Sequence, residues 1–546
     1  MISTRRVPQC RVAFVGQRVL VAEGNQLVSV TTTKQLNQPA GTFEIVLLPT
    51  RSQWDDGNGT TERRGQRDQA FQGDIHDTVF WLEMLAPMTL VQIQMSAAHL
   101  PQNSRVFVPP VHVNRATTGG VRADSSYILM LGIVDTVTFD KVMTPQGPQR
   151  AVRVVGRDLG RALTDDTHVS FPFPIMDPGT KDLPPQALVY HPSDSRQSDI
   201  DDLNTRYFLR KGGGITSQAA SVPGFVDTRS WKDLLLTLNT VQDVMSAVLY
   251  NAPGLNVTLL NGENLRSYIP AGEDIAPDVG AIRFLATYLL MGSGSVWSLL
   301  SRMTPQPWCE MFVDTVGAQA RLIVRRPPWG RTPNQVQQEL TRMKKTRRNL
   351  VTIDSVPLWD TDQVTTSACQ VTQDAYHVVS ESEVLSLSVG KSDREVINLY
   401  LPTALKSLGS RMSREQSAGI TPPIVHTESI RRYGMRVFQP DNTWWSVPSH
   451  DGEDEISIVG ELARDNLRLF FYFKDISTYL SGQLVLQGRP EIRIGDHVYL
   501  KEMDRIFYVE SVSNQWQFGG QMLTTVQVSR GQPLTIPDTP LTPSVF

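Results

Sequence analysis

The chain has 546 residues, 40% of them hydrophobic and 20% charged, with a net charge of -3 at pH 7. That length suits roughly three or four domains of about 150 residues each, and the near-neutral charge gives no global pull toward nucleic acid or an anionic membrane. Cys10, Cys309 and Cys369 lie far apart, which argues against a disulfide framework and excludes a C-x-x-C zinc knuckle.

The N-terminal MISTRRVPQCRVAFVGQ lacks the apolar core of a secretory leader. The richest apolar stretch, AIRFLATYLLMG, is too short for a membrane span and carries Arg283, so a soluble chain is expected. Residues 1–165 read as strands. VAFVGQRVLVA and QLVSVTTTKQ alternate at period 2, and GTFEIVLLP, PMTLVQIQM, YILMLGIVDTVTF and AVRVVGRDL are short, β-branched and bounded by turn residues. They predict one β-barrel-like domain carrying a polar insertion at 51–74, read as a solvated loop.

From 166 to 349 the pattern is mixed α/β. Asp227 and Thr228 can cap a helix with Trp231, Leu234, Leu235, Leu238, Val241, Met245, Val248 and Leu249 on one face. A second helix is expected around Ile282, Leu285, Tyr288 and Leu289, and a third over SVWSLLSRM, before strands CEMFVDT and ARLIVRR. Strands return over 350–535 in EVLSLSVGKSD, REVINLYLP, RIFYVESVSNQ and TTVQVSRGQ, with an irregular insertion at 403–454 and a helix-like ISIVGELARDNLRLFFYFKDIS. In GRPEIRIGDHVYL, Gly495-Asp496 predicts a hairpin turn with Ile492, Ile494, Val498 and Leu500 toward a core. Residues 536–546 read as a Pro/Thr-rich extension.

The first and last sections share an order. GTFEIVLLP resembles REVINLYLP, PMTLVQI stands where PEIRIGDHVYL stands, LMLGIVDTVTF resembles RIFYVESVSNQ through V-D/E-x-V, and AVRVVGRDLG resembles TTVQVSRGQP through a Gly/Arg pair. The shared series predicts two copies of one barrel in a single chain.

Catalytic signatures are weak. Gly390-Lys391-Ser392 resembles the end of a phosphate loop, but Leu385 stands where its opening glycine is needed. Gly212-Gly213-Gly214 lacks a strand-to-helix frame, and no H-E-x-x-H or G-x-S-x-G occurs. Carboxylates such as Asp165, Asp166, Glu381 and Glu383 read as surface groups, though a hydrolase needs only two at the right separation. Lys344, Lys345, Arg347 and Arg348 form a local basic run, read as an exposed helix end. Trp308, Trp444 and Trp445 suit either sugar stacking or buried anchoring.

Taken in order, the motifs resemble the baseplate hub protein of contractile phage tails, whose relatives include the hub part of type VI secretion spike proteins. The residues that carry the resemblance are Gly156, Arg157 and Asp158 in the first section. In the middle they are Trp308, Glu310 and Asp314, with Arg326 and Pro328 of RRPPWG. In the last they are Asn398 of SDREVINLYLP, Tyr433 and Gly434 of RRYGMRV, Gly488, Arg489, Pro490, Gly495 and Asp496 of GRPEIRIGD, and Arg530 and Gly531.

The resemblance implies an α+β, β-dominated chain in which two tail-tube-like barrels flank a spacer, assembling as a ring-shaped homotrimer. Such a hub joins a hexameric tail tube or tube initiator to a trimeric central spike. Baseplate wedge and tape-measure proteins are further implied partners, with DNA passing transiently through the channel and no stable membrane association. The implied location is the virion tail baseplate, after assembly in the host cytoplasm. No catalytic residue, cofactor or metal is implied. Relatives with a lysozyme domain or a β-helical spike differ from this chain, which shows neither pattern. The alternatives are a hub-associated peptidoglycan hydrolase or a carbohydrate-binding tail protein using Trp444 and Trp445.

Overall fold

Alternating β-branched residues form the strands where the periodicity places them. The first section contains β1 (Gln9–Val15), β2 (Val19–Glu23), β3 (Leu27–Gln35), β4 (Thr42–Leu47), the short β5 (Gln53–Asp55) and β6 (Thr61–Glu62), β7 (Leu90–Ser96), β8 (Ile128–Thr144) and β9 (Gly147–Asp158). The middle holds β10 (Thr167–His168), β11 (Gly294–Ser295), β12 (Glu310–Val316) and β13 (Gln319–Arg325). The last section begins with β14 (Leu350–Ile353), β15 (Val356–Asp360), β16 (His377–Val379), β17 (Val384–Gly390) and β18 (Leu399–Tyr400). It continues with β19 (Ile424–Val425), β20 (Val437–Phe438), β21 (Leu480–Gln487), β22 (His497–Leu500), β23 (Arg505–Gln517) and β24 (Met522–Gln532).

The structure is a computed structural model that describes residues 8–48, 53–55, 61–62, 81–97, 100, 107, 127–144, 147–165, 167–168, 241–242, 245, 249, 255, 257–269, 275–276, 279, 294–304, 306–327, 350–353, 356–360, 376–400, 424–438, 470, 473 and 476–533. Most of the insertions at 51–74 and 403–454, the second expected helix, the 344–348 basic run, Pro328, Trp444, Trp445 and the 536–546 extension lie outside the described residues.

The two expected barrels are not formed. One mostly antiparallel sheet runs in the order β17-β21-β24-β23-β3-β4-β9-β8-β7-β1-β2-β5-β6, with β22 and β16 branching from β23, and among the described residues its two ends do not pair. The overturning contact is β23 on β3: residues 511–517 of the last section lie antiparallel to residues 29–35 of the first. Backbone groups that barrel closure would have satisfied within each section are satisfied across the two sections instead.

The repeated grammar itself survives as a strand module. β4-β9-β8-β7 in the first section and β21-β24-β23-β22 in the last share the same pairing sequence. β3 lies beside β4 with a register shift between Leu27 and Ser29, and β17 lies beside β21 with the same shift between Val384 and Ser386. A single 3-10 turn with a capping box precedes each, Glu23 with Gln26 before β3 and Ser380 with Glu383 before β17. The counterpart of β4 is therefore β21. REVINLYLP was expected in that place, but it contributes only β18, which belongs to a separate sheet in the order β14-β15-β19-β18-β20.

Alternation gives the main sheet two apolar faces. Leu131 and Ile133 of β8 join one core with Leu299, Leu300, Met311, Phe312, Ile492 and Phe507. Met130 and Val134 join the other with Phe14, Phe43, Trp81, Val91 and Trp516. The helix Val296–Met303 forms as SVWSLLSRM predicts: Ser295 accepts from the Ser298 amide at 3.2 Å, and Val296, Leu299, Leu300 and Met303 are buried. Val241, Met245 and Leu249, from the first expected helix, are helical and buried.

The Gly495-Asp496 hairpin is a further correction. Ile492, Ile494, Val498 and Leu500 are all buried as expected, but only the second arm is a strand. The Asp496 carboxylate accepts from the Arg493 amide at 2.9 Å, which closes a local turn where a strand ladder was expected.

Candidate functional site

Charged motif residues converge where sections of the chain meet, first where the separate β12-β13 hairpin packs on the main sheet. Asp314 on β12 is held from both flanking sections. Lys34 Nζ of β3 donates to its Oδ1 at 2.7 Å and to Thr315 Oγ1 at 3.2 Å, while Arg493 Nη1 reaches its Oδ2 at 3.2 Å. Arg493 also donates to the Thr315 carbonyl and, at 3.3 Å, to the Ile128 carbonyl. Burial pushes the Asp314 carboxyl up, but Lys34 and Arg493 together hold it below the ordinary carboxylate value. A cavity of about 20 Å³ beside the triad is lined by Thr32, Lys34, Asp314, Ile492 and Arg493. That volume suits one water.

A second cluster ties β12, β13 and the 488–496 loop to β23. Glu310 accepts from the Tyr508 hydroxyl at 2.5 Å and from Arg325 Nε at 3.3 Å, and Arg325 Nη2 donates to the Gly495 carbonyl at 2.8 Å. Burial, then the Glu310 charge, pushes the Tyr508 hydroxyl well up. Gly495 takes φ +77°, and a Cβ there would lie 2.2 Å from Arg325 Nη2, so only glycine fits. Asp496 meets His377 Nε2 at 3.0 Å, fastening the turn to β16.

The V-D/E-x-V and Gly/Arg motifs form the same device twice. The register of β8 against β9 shifts between Val134 and Thr136, leaving Asp135 at a bulge, and β23 against β24 shifts between Val509 and Ser511, leaving Glu510 at one. Arg157 Nε pairs with Asp135 at 2.8 Å, and Arg530 Nη1 pairs with Glu510 at 2.6 Å. Arg530 sits one residue later than Arg157 does relative to its bulge, and takes φ +62° in reaching the acid. Gly156 and Gly531 admit aromatic rings from the sheet: a Cβ at Gly156 would lie 2.4 Å from Phe43 Cζ, and one at Gly531 2.3 Å from Phe507 Cε1.

Asp158 is buried, and its Oδ1 accepts from the Gly160 amide at 3.0 Å. Burial pushes its carboxyl up to about 6, against the pull of Lys34 and the backbone of Gly41 and Gly160.

The remaining motif residues hold corners. Gly488 takes φ +42°; the Arg489 amide donates to Thr524 Oγ1 at 2.9 Å, its guanidinium meets Glu383 at 3.0 Å, and Pro490 continues the turn. Asn398 is buried and donates to the Gly434 carbonyl at 2.7 Å while accepting from the Arg436 amide at 2.7 Å. Tyr433 ends the short helix Thr427–Tyr433, capped by Gly434. Trp308 is buried, with its ring 6.1 Å from Phe438, which favours the anchor over the sugar platform. Arg326 directly follows β13. Of the carboxylates weighed for hydrolysis, Glu383 serves its capping box and Arg489, and Asp165 pairs with Arg157 and Arg161.

The motif readings missed Lys34, Arg325, Arg493 and Tyr508. The available signal was Lys34 itself, a cation in phase with Val30 and Thr32 in an otherwise buried alternation. Among the described residues no cluster of three or more His, Cys, Asp or Glu side chains is arranged to hold a metal, and no helix is long and apolar enough to cross a membrane.

No protein-family model matches the sequence, and no curated protein matches it. Among solved structures the chain is similar to the 43 kDa tail protein of prophage MuSo2 from Shewanella oneidensis, with 11% identity, a TM-score of 0.40, and coverage of 96% of this chain and 98% of that one. It is also similar to the tail protein from Neisseria meningitidis MC58, with 10% identity, a TM-score of 0.38 and 96% of each chain covered. A third likeness is to the Francisella PdpA-VgrG complex, with 9% identity, a TM-score of 0.35, and coverage of 98% of this chain and 55% of that one. Values this low assign no function.

Proposed function

We propose that the chain is a non-enzymatic structural subunit of a phage-type tail, serving as a baseplate hub. The observation that carries this reading is that the charged motif residues are spent on joints between sections of the chain. Asp314 is clamped by Lys34 from one side of the sequence and Arg493 from the other, an arrangement suited to holding strands in place rather than to turning over a substrate. The ordered resemblance of the motifs to the hub family supports the same reading.

In this reading the subunit acts as a homotrimer that links a hexameric tube to a trimeric spike, with wedge and tape-measure proteins as further contacts and DNA passing transiently. It assembles in the host cytoplasm and ends in the virion baseplate. The divisions at 165, 349 and 535 are kept as sequence sections, without the two barrels. Light scattering on the purified chain tests it: the expected mass is three times 60.9 kDa, together with capture of the cognate spike. A chain that stays monomeric at high concentration and ignores the spike would overturn it.

A further inference from the structure

The internal repeat contains one joint that is used within the chain and one that is left open. In β23 the residues before the Glu510 bulge pair with β22, and residues 511–517, after it, pair with β3. In β8 the residues before the Asp135 bulge pair with β7, but after the bulge, among the described residues, the strand pairs with β9 alone. Among the described residues β17, the counterpart of β3, likewise pairs with β21 alone. The strand that would complete the second joint is therefore present at an end of the same sheet, where no other described strand of its own chain pairs with it.

Burial supports the correspondence. The matched register shifts equate Val30, Thr32 and Lys34 of β3 with Leu387, Val389 and Lys391. Val30 is fully buried at the internal joint, whereas Leu387 is 41% exposed. On the facing strand, the bulges equate Asn514 with Phe139; Asn514 is buried and Phe139 is 43% exposed. Apolar residues thus stand half-exposed at positions that the internal joint covers.

We propose that the far half of β8 pairs antiparallel with β17 of a second copy of this chain, in the register of β23 on β3. Transferring that register sets Thr138 opposite Gly390 of the next copy and Phe139 opposite Val389, diagonal to Leu387. Each copy then offers β8 to one neighbour and β17 to the other, a head-to-tail contact that makes rings if the rotation closes. The inference deepens the assembly reading above by naming the surface and its register.

The test is a cysteine pair placed where the internal joint has touching side chains: Thr33 Oγ1 and Ser513 Oγ lie 3.1 Å apart, and they correspond to Gly390 and Thr138. A Cβ at Gly390 meets nothing within 4 Å, so cysteine fits there without strain. Under mild oxidation the variant Thr138→Cys with Gly390→Cys should give reductant-sensitive bands at multiples of the chain mass. Each single variant controls for Cys10, Cys309 and Cys369, and Phe139→Cys with Gly390→Cys, whose side chains face opposite sides, should not cross-link. Leu387→Lys, at a half-exposed position, should leave far-UV circular dichroism unchanged and shift light scattering toward the monomer. Equal cross-linking by the off-register pair overturns the register. A folded, assembled protein with no cross-link, or one that Leu387→Lys leaves assembled, overturns the joint while the assembly reading stands. A chain that never assembles overturns both.

Discussion

Replacing Asp314 by Asn tests whether the charged seam holds the β12-β13 hairpin to the main sheet. With an effective dielectric of about 20, the 2.7 Å contact to Lys34 is worth ~6 kcal/mol and the 3.2 Å contact to Arg493 ~5 kcal/mol before desolvation. Desolvating the ions costs several kcal/mol each, so the net value of the triad is far smaller than that gross attraction. Removing only the carboxylate charge leaves Lys34 and Arg493 facing each other without an anion, and the expected loss is about 3–5 kcal/mol. The assay is urea unfolding at pH 7 and fixed chain concentration, because assembly adds its own linkage. Lys34→Met with Asp314→Leu should recover most of the loss, since Arg493 keeps the Thr315 and Ile128 carbonyls as acceptors. The sign with pH follows from the depressed carboxyl of Asp314: the stabilisation is complete above its unfolded value near 3.8 and is lost as pH falls through the folded value. A loss under about 1 kcal/mol, or a double variant no better than Asp314→Asn, would refute the reasoning.

Three further outcomes follow from the same geometry. Gly156→Ala puts a Cβ 2.3 Å from the Ile133 carbonyl oxygen and should cost about 3 kcal/mol, while Gly390→Ala, in open space, should be neutral or slightly stabilising; thermal unfolding of the two variants checks the contrast. Asp158 is the opposite case to Asp314: its folded value of about 6 lies above the ordinary 3.8, so its ionised form costs stability at neutral pH and the cost is relieved as pH falls from 6 toward 4. Asp158→Asn should therefore gain about 3 kcal/mol over the parent at pH 7 and little at pH 4, read from paired denaturation curves. Deleting Glu510 removes the residue that stands outside the ladder: Val509 and Ser511 keep Val528 and Gln527 as partners, but β23 loses its bend and Arg530 its acid, so the pairing of residues 511–517 with β3 should weaken and thermal unfolding should show a loss of about 1–3 kcal/mol.

The strands of the main sheet and the helix Val296–Met303 were legible because each is a local pattern, a period of two or an apolar stripe behind a serine cap. The partner of each strand was not. Ser513 meets Thr33 across most of the chain, and a period of two says which residues share a face without saying which strand lies alongside. The Gly495-Asp496 turn failed for a different reason: the apolar alternation on either side of it is real, but the Asp496 carboxylate captures an amide that a ladder would have used. At the seam, Glu310 and Asp314 were singled out by resemblance, whereas their cations Arg325, Lys34 and Arg493 come from three separated stretches. A sequence motif marks one side of such an ion cluster when the other side is distant.

The V-D/E-x-V element also explains why two barrels were expected and one sheet is found. A bulge leaves one residue out of the ladder and bends the strand, so the halves on either side can face different neighbours. In β23 the change of partner, from β22 to β3, falls at Glu510, and in β8 the pairing with β7 ends just before Asp135. The acid at each bulge is pinned by an arginine of the return strand, which fixes the bend without adding to either apolar face. Read as local grammar, the repeat describes a meander able to close on itself. The bulge sends the far half of its longest strand out of the module, to β3 in one copy and, in the other, to an edge that no described strand covers.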